Sequence, residues 1–522
     1  MIRLLISLLT GMVVSSEILN LITNGSLHGF LSYQEANTLL DSLISRFPNL
    51  LTREVIGKSY KGVDILAYRL FNSFQSTPID VPKVLMTSLM HAREPASLSV
   101  VLGAIALLID EYSKNVTDTR FLLCTRELYF VPFVNPDGYM LANDSVPSNR
   151  RKNARETCPT NPGEGGVDLN RNFDSHWDNS TYGGCSEEYA GIAPFSEPET
   201  LALKLFAEKK RFVSALNFHA YGNFLTYPFN YNSTRALSSV HEQFYGEIQS
   251  IFKFVQAGPA GAILGYNTGG ESDDWFYEKL QTLSMSPEVG REEDGFTPPP
   301  ERLKQLVSEN YARIKYWLFK AGCEISKLRV GVEGANLIFS AVNTGLGQCR
   351  QVGVVIQMSD CSECGLNPCQ VISPGLRMYS PSSNWTMAPL SEQHLITIPA
   401  CTVSSLSNLA RVCLVQAGLN CRCFDLQTMS PNISLGIMSN QASNHQVCEG
   451  AGVAQFVAVD ELGLGPVYSI GMAGTSRILI VLIFLLVGAA LFRIVKKSLS
   501  LKQHATYDPV VQEFELETIA RF

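Results

Sequence analysis

His91-Ala-Arg-Glu94 sets an imidazole and a carboxylate three residues apart, directly after an apolar run at 83–90. A short strand that ends in His-x-x-Glu offers two zinc ligands from one rigid turn. Catalytic zinc takes three protein ligands and keeps one position open for water, so a third ligand is needed from elsewhere. His219, closing a second apolar run at 212–218, is the candidate. A third run closes in Ser284-Met-Ser-Pro-Glu288 and supplies another carboxylate. These residue types, each at the end of an apolar run, describe a metal-dependent hydrolase.

Such residues need elements that bring run ends together. The alternation across 53–70 reads as a hairpin turning near Lys61-Gly62. The run at 83–90 is a strand, and Pro95 suits the first turn of a helix reaching about residue 112. Residues 126–134 form another strand, ending at the turn signal Asn135-Pro-Asp-Gly138. A long loop rich in Gly, Asn and Pro follows at 143–167, and loops of that length tend to carry function. Helical patterns recur at 199–210, 236–254, 272–280 and 302–321. Strands alternating with helices predict an α/β fold, a mixed central sheet with helices on both faces. Ligands in such folds sit at the carboxyl ends of strands, where His91, His219 and Glu288 fall.

After residue 323 helical periodicity fades. Short β-rich runs at 328–332, 352–358, 394–398, 409–415 and 453–459 alternate with Cys, Ser, Asn and Gly turns. We expect a second, disulfide-rich β domain over 328–464. Three of the thirteen cysteines (Cys124, Cys158, Cys185) fall before residue 300, and ten lie between Cys323 and Cys448. In an oxidising compartment these read as disulfides. Cys361-x-x-Cys364 also resembles half of a zinc knuckle, although no second such pair accompanies it. Thirteen is odd, and Cys124, in a strand-like context, is expected as a buried free thiol.

The 522 residues leave room for two or three domains, and a net charge of −7 argues against nucleic acid as a partner. Arg3, the apolar stretch 4–14 and Ser15-Ser16-Glu17 describe a signal peptide over 1–16, with a buried N-terminal helix as the alternative. A second apolar stretch begins at 478 and is expected to cross a membrane as a helix over 478–495. Arg493, Lys496, Lys497 and Lys502 cluster on its C-terminal side, placing a tail over 496–522 in the cytosol. The chain is thus expected to be a type I single-pass membrane protein of the secretory pathway, plasma membrane or endosomes. Its tail would carry a sorting signal for adaptors at Tyr507-Asp-Pro-Val510. Sequons at Asn24, Asn115, Asn143, Asn179, Asn232, Asn384 and Asn432, none in the tail, agree with a lumenal or extracellular catalytic domain.

Further motifs follow in order: Asn135-Pro-Asp-Gly-Tyr139, Arg150-Arg-Lys152, Asp168-Leu-Asn-Arg-Asn-Phe173, Tyr266 before Gly269-Gly270, and Asp274-Trp275. With His91-x-x-Glu94, His219 and Glu288, residues 28–322 resemble the zinc metallocarboxypeptidases. The resemblance implies one zinc held by His91, Glu94 and His219, and a water whose proton Glu288 takes and passes to the leaving amine. For Glu288 a salt-bridged surface position is the alternative. The resemblance also assigns the oxyanion of the tetrahedral intermediate to Arg151. It gives the substrate's C-terminal carboxylate to Asn170 and Arg171, with Tyr266 assisting. Guanidinium reads carboxylates through paired hydrogen bonds. Arg150 stands where many members have Trp, and a packing role is the alternative for Tyr266. Cys158 and Cys185 flank the Asn-Arg motif much as a family disulfide does.

We expect no pro-segment of about a hundred residues (roughly the size of one small domain) ahead of the catalytic domain, an arrangement that resembles the regulatory branch that processes peptides in the secretory pathway. The transthyretin-like domain usual in that branch is not recognisable here. We expect a zinc carboxypeptidase acting on peptides or proteins with a free C-terminus. The alternatives are a non-catalytic surface protein of the same fold and a related zinc amidohydrolase. Asp273, just before Asp274-Trp275, matches the floor of the side-chain pocket, where a buried carboxylate favours C-terminal Lys or Arg. Asn230 follows Tyr227-Pro228-Phe229 where basic-specific members often place Asp, and Asp273 has helix capping as its alternative role. His28, His176, His241, His394, His445 and His504 have no partner motif.

Overall fold

The computed structural model describes residues 15–72, 81–142, 149–178 and 183–322, and beyond residue 324 the backbone of separate strands as far as 458. The signal segment through residue 14, the span at 478–495, the tail with Tyr507, and the sequons at Asn143, Asn179, Asn384 and Asn432 lie outside the described residues.

A hairpin opens the main sheet, with β1 (Leu51–Lys58) antiparallel to β2 (Asp64–Leu70). The chain reverses through Gly62, whose φ of +84° is open to glycine and strained for other residues. The remaining strands are β3 (Lys83–Thr87), β4 (Glu127–Val131), β5 (Ser214–Asn217), β6 (Phe224–Thr226), β7 (Gln256–Gly258) and β8 (Leu283–Pro287). Their order is β1-β2-β4-β3-β5-β8-β6-β7. β3 is parallel to both β4 and β5, and β5 is parallel to β8. The sheet is mixed because β1, β2 and β6 join antiparallel.

Alternation along the central strands builds two cores. Val84 and Met86 belong to one apolar cluster and Leu85 to the other; Leu128 and Phe130 likewise separate from Tyr129 and Val131. The first cluster takes in residues of helices Tyr33–Arg46, Pro95–Ser113, Ser239–Phe252 and Pro300–Lys320. The second takes in Leu203 and Phe206 of helix Pro198–Lys210 and Trp275 and Phe276 of helix Ser272–Leu280. Helix Pro95–Ser113 is buried from Pro95 through Ile109, as a helix apolar on all sides must be. Each of its fully buried Leu, Ile and Val side chains contributes about 1.5–3 kcal/mol. It is long and apolar enough to cross a membrane, yet 78% of its most apolar window is buried inside this domain.

Several elements depart from the sequence reading. Asn135-Pro-Asp-Gly138 is the start of a helix, Pro136–Ala142, and not a turn. Asn135 Oδ1 accepts from the Gly138 amide at 2.9 Å, and Pro136 fits a first helical position. Cys124 lies on helix Thr117–Thr125, where it is free and half-buried, not in a buried strand. The folded unit also begins before residue 28, because helix Ser16–Thr23 sends Ile22 into the first core.

Beyond residue 324, Ser391–Pro399, Asn336–Asn343, Ile325–Glu333 and Gln455–Ala458 pair antiparallel in that order. Cys349–Met358 pairs with Arg377–Tyr379, Trp385–Met387 and Leu409–Gln416, and the last of these with Asn420–Asp425. Each of the five expected β runs overlaps one of these strands. The cysteine side chains there lie outside the described residues.

Candidate metal centre and active site

β3, β5 and β8 are adjacent and parallel, so their carboxyl ends open on one edge. His91 lies just past β3, His219 past β5 and Glu288 past β8. A last parallel bridge sets His219 beside Glu288, through His219 N to Pro287 O at 3.0 Å and Val289 N to His219 O at 2.8 Å. Glu94 is the N-cap of helix Pro95–Ser113, but its side chain makes no cap hydrogen bond and turns into the site.

His91, Glu94 and His219 are buried, and one ligand atom from each falls within 4.8 Å of the others. Glu94 Oε1 is 2.8 Å from His91 Nδ1 and Oε2 is 2.9 Å from His219 Nδ1, while the two ring nitrogens are 3.1 Å apart. Two imidazoles and a carboxylate converging away from water fit a zinc ion. The opposite edge of His91 fits as well: Nε2 is 3.1 Å from Asp168 Oδ1, the partner that fixes a ligating imidazole. Burial pulls His219 down, but the Glu94 charge wins and holds it up to about 9. Burial favours a neutral Glu94, and the His91 and His219 charges overcome it to keep the carboxyl well below its usual range.

Asp168 also accepts from Arg151 Nε at 2.8 Å, which holds that guanidinium against His91, with Nη1 3.3 Å from Nδ1. Arg151 is therefore aimed at the centre and is not a solvated loop residue. Glu288 is half-buried, and its Oε2 is closed to solvent with no hydrogen-bond partner among the described residues. Burial and then the Glu94 charge push it up to about 8, with His219 and Arg151 pulling the other way. Its surface alternative is excluded by this position.

Asn170 and Arg171 lie on the short 3-10 turn Leu169–Arg171, whose N-cap Asp168 accepts from the Asn170 amide at 3.0 Å. Asn170 Oδ1 accepts from the amide and hydroxyl of Ser272 at 3.0 and 2.9 Å, thereby capping helix Ser272–Leu280. The backbone that follows Tyr266 presses on the same turn. A Cβ on Gly270, at φ +72°, would stand 2.0 Å from Arg171 O, so only glycine permits the approach. Phe173 N donates to Gly270 O at 3.0 Å and seals it. Tyr266 itself is 48% exposed, on a loop near the charges of Arg171 and Arg151. The Cys158–Cys185 disulfide closes the loop around this segment.

Asp273 is buried and accepts from Asn217 Nδ2 at 2.6 Å and Ser286 Oγ at 2.8 Å. Its side chain reaches the ends of β5 and β8 and does not cap its helix. Asp274 accepts from the amides of Asn230 and Tyr231 at 2.9 and 3.0 Å. Three contributors escaped the sequence reading: Asp168 as the link between His91 and Arg151, Asn217 as a support of Asp273, and Glu271, 3.0 Å from Arg171 Nη1. Only Asp168 carried a signal, its fixed place before Asn170-Arg171. His176 and His241 do have partners, since His176 stacks on Tyr231 and His241 Nδ1 meets Tyr277 Oη at 2.7 Å.

Residues 36–313 match the model of the zinc carboxypeptidase family. Inactive metallocarboxypeptidase ECM14 of Saccharomyces cerevisiae is 26% identical over 311 residues, 55% of this chain and 71% of its own length. Carboxypeptidase B of Homo sapiens is 27% identical over 306 residues, 55% of this chain and 70% of its own. Bovine thrombin-activatable fibrinolysis inhibitor, solved in complex with tick carboxypeptidase inhibitor, is 26% identical with a TM-score of 0.47. That match covers 56% of this chain and 97% of the other.

Proposed function

Because this chain belongs to the zinc carboxypeptidase family, we propose that it is an active metallocarboxypeptidase that removes C-terminal residues, preferring Lys or Arg, from peptides or proteins. The observation that carries this reading is the convergence of His91, Glu94 and His219 within 4.8 Å, at strand ends shared with Glu288.

His91, Glu94 and His219 would hold the zinc, which when bound polarises a carbonyl and makes water more acidic. Glu288, raised towards neutrality by burial, takes a proton from water and returns it to the leaving amine. Arg151, fixed by Asp168, donates to the oxyanion, a contribution worth a few kcal/mol in comparable sites. Asn170 and Arg171 receive the terminal carboxylate, and Tyr266 closes over it from its exposed loop.

The test uses purified, zinc-loaded protein and matched peptides with free and amidated C-termini. Release of single C-terminal residues from the free acids supports the reading; cleavage of internal bonds or of N-acyl amino acids alone removes it. One relative is named inactive, and zinc binding without any turnover would favour a non-catalytic surface protein. We also assign the chain to a membrane, anchored at 478–495 with the tail in the cytosol, on the strength of Arg493, Lys496, Lys497 and Lys502 beyond the apolar stretch. Protease protection of the tail in sealed vesicles, with the opposite face accessible, would reverse that orientation.

A further inference from the structure

Arg171, the guanidinium placed to receive a substrate carboxylate, already has one. Glu271 Oε1 lies 3.0 Å from its Nη1, with both side chains less than a tenth exposed. Glu188 Oε1 stands 3.6 Å from Nη2. One cation therefore faces two anions before any substrate arrives.

The local backbone explains why Glu271 points this way. It is the N-cap of helix Ser272–Leu280, a position whose side chain ordinarily bonds the first turn, yet it makes no such bond. Asn170 does the capping instead, through the Ser272 amide and hydroxyl. Glu94 behaves alike at the N-cap of its own helix, where its freed carboxylate serves the metal centre. Gly270, pressed on Arg171 O, brings Glu271 to the arginine at a distance no bulkier predecessor would permit.

We propose that Glu271 is a specificity-determining residue that competes with the substrate's C-terminal carboxylate for Arg171. The inference rests on the exopeptidase reading above. A terminal carboxylate entering here must displace Glu271 or sit beside it, and like charges a few ångströms apart repel strongly where water is scarce. A substrate whose last side chain is cationic brings compensation for the displaced Glu271, and one ending in Leu or Phe brings none. Glu271 thus acts as a filter on uncharged C-terminal residues. It works by weakening the carboxylate clamp, and so differs from a pocket that simply attracts a cation.

Glu271→Gln tests this, because the amide keeps a neutral acceptor for Arg171 and removes the charge. With matched free-acid peptides ending in Arg and in Leu, the variant should lower KM for the Leu peptide roughly tenfold or more, the worth of one charge-assisted hydrogen bond. KM for the Arg peptide should fall much less, and the changes should appear in KM rather than kcat. Calorimetric binding of L-leucine and L-leucinamide to the zinc-loaded protein gives a second readout. The variant should bind leucine more tightly than the parent does and leave leucinamide unchanged. If neither protein cleaves any peptide while the variant still gains affinity for leucine, the exopeptidase reading fails and the role of Glu271 stands. An unchanged or higher KM for the Leu peptide, or no gain in leucine binding, overturns the proposal.

Discussion

Asp168 Oδ1 and His91 Nε2 meet at 3.1 Å, both side chains closed to solvent. The same carboxylate holds Arg151, so one buried anion orients the proposed metal ligand and the proposed oxyanion donor together. Burial works against its charge, but the Arg151 and His91 charges keep its carboxyl well below the usual range. Asp168→Asn retains the size and loses that charge. Zinc affinity should fall roughly 10–100-fold, as for other partners of ligating histidines. Competition with a chelator of known affinity measures it, and an unchanged zinc constant would reduce Asp168 to packing.

Glu288→Gln should leave zinc bound and the fold intact. A general base works in the chemical step, so kcat should drop roughly 10²–10⁴-fold with little change in KM. The unpartnered Glu288 Oε2 supports the role, since no structural contact is lost with it. Near-normal kcat at full zinc occupancy would place the base elsewhere.

The strand ends were legible because apolar runs bounded by His or Glu betray both the sheet and its functional edge. His91, His219 and Glu288 were named from that pattern. Helix Thr117–Thr125 was hidden by its short length and its Thr and Asp content. Helix Pro136–Ala142 was hidden because Asn-Pro serves turns and helix starts alike. Glu271 was beyond reach for another reason. Its partner Arg171 lies one hundred positions earlier, and no local spacing records an ion pair made by folding.

Glu199 offers a stability test away from the catalytic centre. Burial, with help from the Glu197 charge, pushes its carboxyl up to about 7, against bonds from the Tyr60 amide and Asn153 that lower it. Arg155 nearby is engaged by Glu197. The folded state therefore binds more protons than the unfolded one between the ordinary carboxyl value of 4.5 and about 7. Stability from this group is full below that window and is lost as pH rises through it, by an amount on the order of 3 kcal/mol. Glu199→Gln should flatten the decline in denaturant titrations at pH 5 and pH 8. An equal decline in both proteins would assign the pH dependence to other groups.

The Cys158–Cys185 bridge spans 27 positions. Closing a loop of that size removes about 3–4 kcal/mol of unfolded-chain freedom in the entropic account. Replacing both cysteines with Ser should lower the unfolding free energy by up to that amount. Because the loop carries Asp168, Asn170 and Arg171, KM should rise as well. Unchanged stability in urea titrations would show that the loop is held by its hydrogen bonds alone.

Asp273 sits beneath the site, held by Asn217 and Ser286, each two residues from His219 or Glu288. Burial, and then the Glu271 charge, push its carboxyl up to about 7, with the Ser286 bond opposing. Below that pH it is largely neutral and has little to offer a cation; above it, a buried carboxylate gains most from a cationic partner. Matched peptides ending in Arg, Phe and Leu should therefore show higher kcat/KM for Arg, and the margin should widen from pH 6 to pH 8. Asp273→Asn keeps an acceptor for Ser286 and removes the charge, so it should erase the pH dependence and narrow the margin to the part that Glu271 imposes. A preference for Phe or Leu, retained unchanged in Asp273→Ala, would show that this carboxylate serves the strand ends and does not read the substrate.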